Sequence, residues 1–291
     1  QEEPKMGYKS LESTVEQLQP CYTKDVILAA RNTPSASRRV WIVVEGSDDI
    51  KIYEKFFNPD RTKVLPSTTS TGRRGCACLE QIVTELLAVD ATILVLGIRD
   101  RDYTQFQNPP YTFPPSVFVT DYRDIEMTML ATRSVISALA RWNRGFVTAL
   151  RRCRPVARHI GHMRICNDLY SLGCNFKKMI KVSQVWDQGN QEFVSNWQYL
   201  LLQLFCSSCK RSFSQQDFDT VKSLYDLDKK HDLFICQGHD MLRLLPSVMP
   251  QNDRIRERIV DAYSQKDFCR SQLYSDISAW ANGHHVQNLW A

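Results

Sequence analysis

The amino-acid sequence predicts an α/β fold, in which a parallel sheet flanked by helices is followed by a mainly helical extension. Runs of β-branched and other apolar residues predict buried strands at 39–45, 92–98 and 117–119. Nearly continuous apolar character is typical of strands that are covered on both faces, as in a parallel sheet. Helical spacing of apolar residues separates the first two runs, and this alternation favours an α/β layer.

The elements of this layer follow one another along the first 130 residues. Gly46 breaks the chain after the first strand, and Ser47 or Asp48 then provides an N-cap for a helix. In chain order we expect a helix at 22–31, a strand at 39–45, a helix at 50–57, a short strand at 63–65, a helix at 79–87, strands at 92–98 and 117–119, and a helix that ends near 130.

Beyond residue 132 the apolar spacing is mainly helical. Candidate helices lie at 135–142, 146–169, 191–205, 218–227, 240–245, 255–263 and 268–280. We therefore predict a helical lead-in at 1–38, a metal-binding α/β domain at 39–131 and a basic, mainly helical extension at 132–291.

The composition excludes several classes of protein. Of the 291 residues, 43% are apolar and 24% are charged, which is ordinary for a globular chain and excludes a disordered or collagen-like one. No apolar run approaches the roughly 20 residues of a membrane span, and the polar N-terminus does not resemble a secretory signal. We therefore expect a cytoplasmic protein with no membrane partner, whose ten cysteines are reduced thiols.

Acidic residues follow two of the predicted strands. Glu45 and Asp49 come after the first strand, and Asp100 and Asp102 come after the strand that ends at 98. Because ligands of parallel sheets bind outside the carboxyl ends of the strands, we expect these carboxylates to face one point. Oxygen ligands of this kind suit hard divalent cations such as Mg²⁺ or Mn²⁺. The alternative role is a solvated charge or a helix cap, which we prefer for Asp48 and leave open for Asp49.

The two aspartates of the second strand end are two residues apart. Their side chains point the same way only if the segment is extended, as it is at a strand edge. Arginines flank both aspartates. Arg99 and Arg101 would weaken metal binding if they pair with the carboxylates, or would contact a substrate phosphate.

Four segments resemble a known family of proteins. Val-Val-Glu-Gly-Ser-Asp-Asp at 43–49 and Asp-Arg-Asp at 100–102 resemble the toprim fold of topoisomerases, primases and OLD-type nucleases. Thr-Asp-Tyr-Arg-Asp-Ile-Glu at 120–126 and Gly-His-Asp at 238–240 resemble toprim proteins with a helical C-terminal extension, typified by the toprim effector of the PARIS anti-phage defence system. The toprim-like part covers residues 39–130, under a third of the chain.

The resemblance implies a divalent-metal-dependent nuclease. Glu45 would be a metal ligand or general acid/base, Asp49 a second acidic ligand, and Asp100 with Asp102 the metal pair. Glu126 would be an accessory metal ligand, and its alternative role is to stabilise the first turn of the following helix. The catalytic residues implied are Glu45, Asp100 and Asp102.

The same resemblance implies a substrate and a partner. Effectors of this kind cleave host tRNA, so RNA is favoured over DNA, and they work with an ABC-type ATPase in anti-phage defence. No Walker A sequence appears in this chain, so any ATPase activity would come from the partner.

The span 127–186 is strongly basic, although the net charge of the whole chain is only +5. It contains eleven Lys and Arg residues against one acidic residue, Asp168. Such a stretch attracts the phosphate backbone of nucleic acids. The alternatives are a solvated basic face or a surface that docks an acidic protein. The candidate nucleic-acid-binding residues are Arg151, Arg152, Arg154, Arg158, Lys177 and Lys178.

Two further points leave alternatives open. Cys206 and Cys209, taken with Cys236 and His239, have the pair spacing of a zinc site, although packed thiols are our preferred interpretation. The nuclease hypothesis also competes with a non-catalytic toprim module that docks on the ATPase. A homodimer is compatible with either.

Overall fold

The chain divides into two compact units, each of which is discontinuous in sequence. The computed structural model describes residues 23–31, 33, 39–68, 75–107, 109, 111–179, 182–225, 232–249 and 254–291. The sheet unit comprises the described residues up to Arg99 together with Thr112–Val119 and Gln272–Ala291, and the helical unit comprises the described residues within Asp100–Tyr111 and Thr120–Ser271. Most of the predicted lead-in at 1–38 lies outside the described residues. The domain limits predicted from the sequence remain predictions.

Four parallel strands form the centre of the sheet unit. They are β1 (Val40–Val44), β2 (Thr62–Pro66), β3 (Val95–Arg99) and β4 (Val117–Val119), in the order β2-β1-β3-β4 across the sheet. All neighbouring pairs are parallel. Every residue of β1 and β3 is buried, which explains why their sequences are almost continuously apolar. The predicted α/β class, with a parallel sheet flanked by helices, is confirmed.

The described helices are divided between the two units, and the regular structure of the second unit is helical apart from one short hairpin. Helices α1 to α3 and α14 belong to the sheet unit, and α4 to α13 belong to the helical unit. In chain order they are α1 (Thr23–Ala30), α2 (Ser47–Tyr53), α3 (Cys76–Val89), α4 (Ile125–Ala131), α5 (Arg133–Trp142), α6 (Phe146–Tyr170), α7 (Phe176–Met179), α8 (Trp197–Ser208), α9 (Gln215–Tyr225), α10 (Asp232–Ile235), α11 (Gly238–Val248), α12 (Ile255–Ala262), α13 (Gln265–Phe268) and α14 (Gln272–Gly283).

Helix α3 packs closely against β3 at Gly97. A Cβ atom at this position would lie 2.5 Å from Cδ2 of Leu79 and 3.2 Å from Cγ2 of Val83, so a larger residue does not fit. The same two α3 side chains share a core with Trp41 and Val43 of β1. This close packing fixes the two strands whose ends precede the predicted acidic residues.

The C-terminal segment also belongs to the sheet unit. The indole nitrogen Nε1 of Trp280 donates a hydrogen bond to Oγ of Ser116, at 3.1 Å, just before β4. Trp290 stacks on Phe57, with ring centroids 5.0 Å apart. Residues 272–291, which the sequence assigned to the helical extension, therefore cover the sheet.

Helix α6 is the centre of the helical unit. Its buried residues include Ala149, Cys153, Val156 and Ile160, which recur at the spacing of one helix face. Helices α8, α9, α10 and α11 all pack against it. The long helix predicted at 146–169 is thus confirmed.

The helix predicted at 191–205 is wrong in its first part. An antiparallel hairpin of β5 (Trp186–Asp187) and β6 (Glu192–Phe193) occupies this region, and α8 begins only at Trp197. The carboxylate of Asp187 accepts hydrogen bonds from the N–H groups of Gly189, at 2.8 Å, and Asn190, at 3.2 Å. These bonds stabilise a turn, which the amphipathic pattern alone did not reveal.

Among the helices of the described ranges, none has both the length and the apolar character that a membrane crossing requires.

Candidate functional site

The first predicted acidic segment lies at the carboxyl end of β1 in the sheet unit. Glu45 follows β1 directly, and its backbone oxygen accepts a hydrogen bond from Oγ of Ser67 at 2.9 Å. Gly46 is the N-cap of α2, and its N–H donates to Oδ2 of Asp49 at 3.0 Å. Asp49 therefore has the capping role that the sequence left open. Asp48 lies in the first turn, where a carboxylate is favourable, but it is not the N-cap that we preferred.

The end of β3 carries a buried ion pair. Val44 of β1 pairs with Ile98 of β3, so the two strands end at the same edge of the sheet. Arg99, the last residue of β3, is buried and forms an ion pair with Glu80 of α3. Its guanidinium group also lies over the ring of Phe113, 5.4 Å from the centroid. These contacts give Arg99 a structural role within the sheet unit.

The second predicted acidic segment opens the helical unit, and it is not extended. Asp102 has a φ of 53°, in the left-handed region, so the expectation that Asp100 and Asp102 continue a strand edge is wrong. The physical reason is that β3 ends at Arg99 and the chain then turns towards the segment before α4. There the N–H of Asp102 donates to the carbonyl of Arg123 at 3.0 Å.

Both aspartates contact that later segment through their side chains. Oδ1 of Asp100 accepts the N–H of Ile125, at 3.3 Å, at the start of α4. The carboxylate of Asp102 forms an ion pair with the guanidinium group of Arg123. The Asp-x-Asp motif and the Thr-Asp-Tyr-Arg-Asp-Ile-Glu motif therefore form one hydrogen-bonded group within the helical unit.

The Gly-His-Asp tripeptide joins the same group through Asp124. This buried carboxylate is the N-cap of α4 and accepts the N–H of Met127 at 2.8 Å. Its other oxygen accepts the N–H of Gly238 at 2.7 Å. A Cβ atom on Gly238 would lie 2.3 Å from Cβ of Glu126 and 2.6 Å from Oδ1 of Asp124, so only glycine fits.

Carboxylates are crowded at this contact. Burial, together with the neighbouring carboxylate of Glu126, raises the pKa of Asp124 to about 7. The N–H groups of Gly238 and Met127 oppose this shift because they stabilise the ionised form. Glu126 is itself balanced by Arg256, whose Nε and Nη2 lie 3.1 Å and 3.0 Å from Oε1.

A further arginine neutralises an acidic residue of the group, and Arg123 makes a second contact. Arg164 of α6 holds the buried carboxylate of Asp240 through two hydrogen bonds of 2.7 Å and 2.8 Å. Arg123 lies over the ring of Tyr103, with 3.7 Å between its Cζ and the centroid. The hydroxyl of Tyr103 reaches the carbonyl oxygens of Gly161, at 3.3 Å, and Ile235, at 3.2 Å. The acidic group is therefore tied into the centre of the helical unit.

The predicted metal ligands fit a divalent ion in chemistry. All five are carboxylates, and Glu126 is close enough to the buried Asp124, which is not itself a predicted ligand, to raise the pKa of that residue. Asp102 and Glu126, however, each hold an arginine already. Within the described residues, no group of three or more His, Cys, Asp and Glu side chains is placed to hold a metal ion. The metal site thus stays a prediction.

The predicted nucleic-acid-binding residues differ in their surroundings. Arg151, Arg152 and Arg154 are exposed on α6, and Nη1 of Arg152 donates to the carbonyl of Gln191 at 3.2 Å. Arg158 is half-buried and forms an ion pair with Asp232. The other two predicted contacts, Lys177 and Lys178, lie in α7, and their side chains fall outside the described residues.

The cysteines of the suggested zinc site have different neighbours. The thiol of Cys209 hydrogen-bonds with that of Cys174, and its Sγ lies 3.2 Å from the carbonyl of Phe205. Cys236 is buried and contacts the carbonyl of Arg154 at 3.9 Å. These contacts agree with the preferred interpretation of packed thiols.

Sequence reasoning missed Arg256 and Arg164 as partners of the acidic group. Glu126 and Arg256 are 130 residues apart, and nothing local marks either as half of a pair. A buried acid predicts some cationic partner, but not which one. A comparison with protein-family models, curated proteins and solved structures found no match to this chain.

Proposed function

We propose that this chain is a divalent-metal-dependent nuclease of the toprim type, which cleaves phosphodiester bonds of nucleic acid. One observation carries the proposal. The three acidic motifs of the helical unit on which the resemblance rests contact one another, through Asp100 with Ile125, Asp102 with Arg123, and Asp124 with Gly238. Positions 100 and 238, at the two extremes of these motifs, are 138 residues apart, so their contact is not a consequence of local sequence. A shared functional site would explain why these segments meet.

Each side of the proposed site has a distinct chemical task. A bound Mg²⁺ or Mn²⁺ ion would activate water and stabilise the charge on the scissile phosphate. Glu45, Asp49, Asp100, Asp102 and Glu126 are the proposed ligands. Of these, Glu45, Asp100 and Asp102 are the proposed catalytic residues, and Glu45 is also a candidate general acid/base.

The chain's own contacts hold two of these ligands in place. The N–H of Ile125 fixes Asp100 against the start of α4, and Arg123 fixes Asp102 against the ring of Tyr103. The exposed arginines 151, 152 and 154 of α6 would bind the phosphate backbone. RNA, and tRNA in particular, is favoured over DNA by the resemblance alone, as are the anti-phage role and the ABC-type ATPase partner. The proposed cytoplasmic location rests on the polar N-terminus and the cysteine content.

A nuclease assay tests the proposal. The wild-type protein and Glu45→Ala are incubated with labelled tRNA, total RNA and DNA in Mg²⁺, Mn²⁺ or EDTA. We expect cleavage by the wild type with metal, and none in EDTA or by Glu45→Ala. The matched control is Glu54→Ala, because Glu54 is an exposed carboxylate at the C-cap of α2 in the same unit. Equal cleavage by the wild type and Glu45→Ala would refute the proposal.

A second candidate function is a non-catalytic toprim module that docks on a partner ABC-type ATPase. It is favoured by the arginines that already neutralise Asp102, Glu126 and Asp240. In that case no nucleic acid is cleaved with any metal, even after release from the ATPase, whereas the basic face of α6 binds the partner in a salt-dependent manner. Light scattering of the purified chain decides whether it is a homodimer in either role.

A further inference from the structure

The helical unit contains a polar pocket apart from the acidic contacts described above. It encloses about 550 Å³, which is within the usual range of small-molecule sites. Its walls come from the loop before α4, from α4 and α5, and from the segment 263–271. Asp121 and Tyr122, which line it, lead directly into the motif that carries Asp124 and Glu126.

The hydroxyl groups of the wall are turned to accept hydrogen bonds from a ligand. Oγ1 of Thr132 donates to the carbonyl of Thr128 at 3.0 Å. The buried Oγ1 of Thr128 donates to the carbonyl of Asp124 at 3.0 Å and already accepts the N–H of Tyr122 at 3.4 Å. Oγ of Ser134 donates to Oδ1 of Asp267 at 2.6 Å. A hydroxyl whose proton is committed to the protein offers lone pairs to a ligand. A ligand that carries donors, such as ribose hydroxyls or base N–H groups, would therefore match Thr132 and Ser134.

The arginines of the wall instead require a ligand that accepts hydrogen bonds. Arg133 and Arg270 both line the pocket and are donors without acceptor capacity. Arg133 makes no hydrogen bond or ion pair with any residue in the described part of the chain, so its charge is available to a ligand. A planar guanidinium group suits a phosphate, to which it donates two hydrogen bonds.

Asp121 and Asp267 line the pocket together with the two arginines, so the formal charges of the lining balance. Asp267 interacts electrostatically with Arg270, whereas Arg133 has no such partner among the described residues. Asp267 is buried and accepts hydrogen bonds from Oγ of Ser134, and from Oγ and N–H of Ser264, at 2.6 Å, 2.6 Å and 3.1 Å. Its carboxylate is thus directed into the protein. Tyr122, packed against Phe234 with ring centroids 5.3 Å apart, adds an aromatic wall.

We infer that this pocket binds a nucleoside monophosphate unit, with the phosphate at Arg133 and Arg270 and the ribose and base against the hydroxyls and Tyr122. A phosphate pairs with the arginines but offers no donor to the hydroxyls of Thr132 and Ser134, and a nucleoside offers those donors but no charge that matches Arg133. The inference deepens the proposed nuclease function, on which it rests for the identity of the nucleotide as part of the substrate. The pocket would then bind one nucleotide of the substrate next to the phosphodiester bond that is cleaved.

Titration calorimetry tests the inference in EDTA, so that neither a metal nor cleavage contributes to the signal. The probes are the four ribonucleoside 5′-monophosphates, the corresponding nucleosides and inorganic phosphate. We expect saturable 1:1 binding of at least one monophosphate, and binding weaker by about tenfold or more for its nucleoside and for phosphate. Equal binding of the nucleoside and the monophosphate would overturn the inference, as would no saturable binding at millimolar monophosphate.

Substitutions locate the bound nucleotide. Arg133→Gln and Arg270→Gln should each weaken monophosphate binding by about tenfold while leaving nucleoside binding unchanged. The matched controls, Arg141→Gln and Arg144→Gln, remove exposed arginines of the same unit outside the pocket and should change neither. Unchanged affinity in both pocket variants would refute the assignment.

The outcome separates this inference from the nuclease proposal. Nucleotide binding without cleavage would leave the pocket assigned and overturn the proposed activity. Cleavage without monophosphate binding would leave the activity and overturn the pocket.

Discussion

Replacing Gly238 by alanine should disrupt the contact that joins the acidic motifs. The added Cβ atom would lie 2.3 Å from Cβ of Glu126 and 2.6 Å from Oδ1 of Asp124, so α11 or α4 must move. Such movement also breaks the 2.7 Å hydrogen bond from Gly238 N–H to the buried carboxylate of Asp124.

The magnitude follows from two contributions. Overpacking costs about 1–3 kcal/mol, and loss of a hydrogen bond to a buried charged group costs about 1.5–3 kcal/mol. We therefore expect the free energy of unfolding to fall by about 4 kcal/mol, and the melting temperature of a unit of this size to fall by about 10 °C. Calorimetry measures the melting temperature, and hydrogen exchange of Gly238–Val248 reports the local effect.

A second glycine provides the control. At Gly283, the last residue of α14, an added Cβ would meet no heavy atom within 4 Å. Gly283→Ala should therefore leave the melting temperature unchanged or raise it slightly, since alanine favours a helix over glycine. If Gly238→Ala is as stable as Gly283→Ala, the packing described around Asp124 is incorrect.

Three other perturbations probe the helical unit. Asp240→Asn should lower the free energy of unfolding by about 3 kcal/mol in urea denaturation, because it leaves a half-buried arginine unpaired; a change under about 0.5 kcal/mol would contradict this. Burial lowers the pKa of His159 to about 4. As pH falls from about 6.5 to 4, the His159 imidazole therefore takes up a proton in the unfolded chain but not in the folded one. The contribution of His159 to the free energy of unfolding should fall by up to about 3 kcal/mol over that interval, whereas the raised pKa of Asp124 acts in the opposite direction. His159→Phe should therefore lose less stability than the wild type between these pH values, and an identical pH dependence of the two proteins is the contrary result. Charge reversal at Arg151, Arg152 and Arg154 should weaken nucleic-acid binding at low salt in a filter assay and spare metal binding, and unaltered affinity would refute the basic-face idea.

The strands were predictable because a buried strand requires a short, continuous run of apolar residues in the sequence. Five consecutive buried residues at 40–44 require five consecutive apolar side chains, and no helix surface imposes that pattern. The carboxyl-end position of Glu45 followed from the same reasoning. Prediction of the long helix α6 was equally local, because its apolar face repeats over many turns.

The interior of the candidate site could not be predicted in the same way. The turn at Asp102 depends on the contacts of Arg123 with both Asp102 and Tyr103, and these are decided by tertiary packing. The expectation of an extended Asp-x-Asp segment failed for this reason. Glu126 likewise meets an arginine 130 residues away, which no spacing rule reveals.

The most direct test of the central claim is Mn²⁺ binding and RNA cleavage measured on the same sample. Electron paramagnetic resonance counts free Mn²⁺ while a labelled tRNA reports cleavage. The account predicts that the wild type binds Mn²⁺ and cleaves, and that Asp100→Asn, which keeps an acceptor for the Ile125 N–H, loses both. Cleavage by Asp100→Asn at the wild-type rate, or cleavage without Mn²⁺ binding, would contradict it.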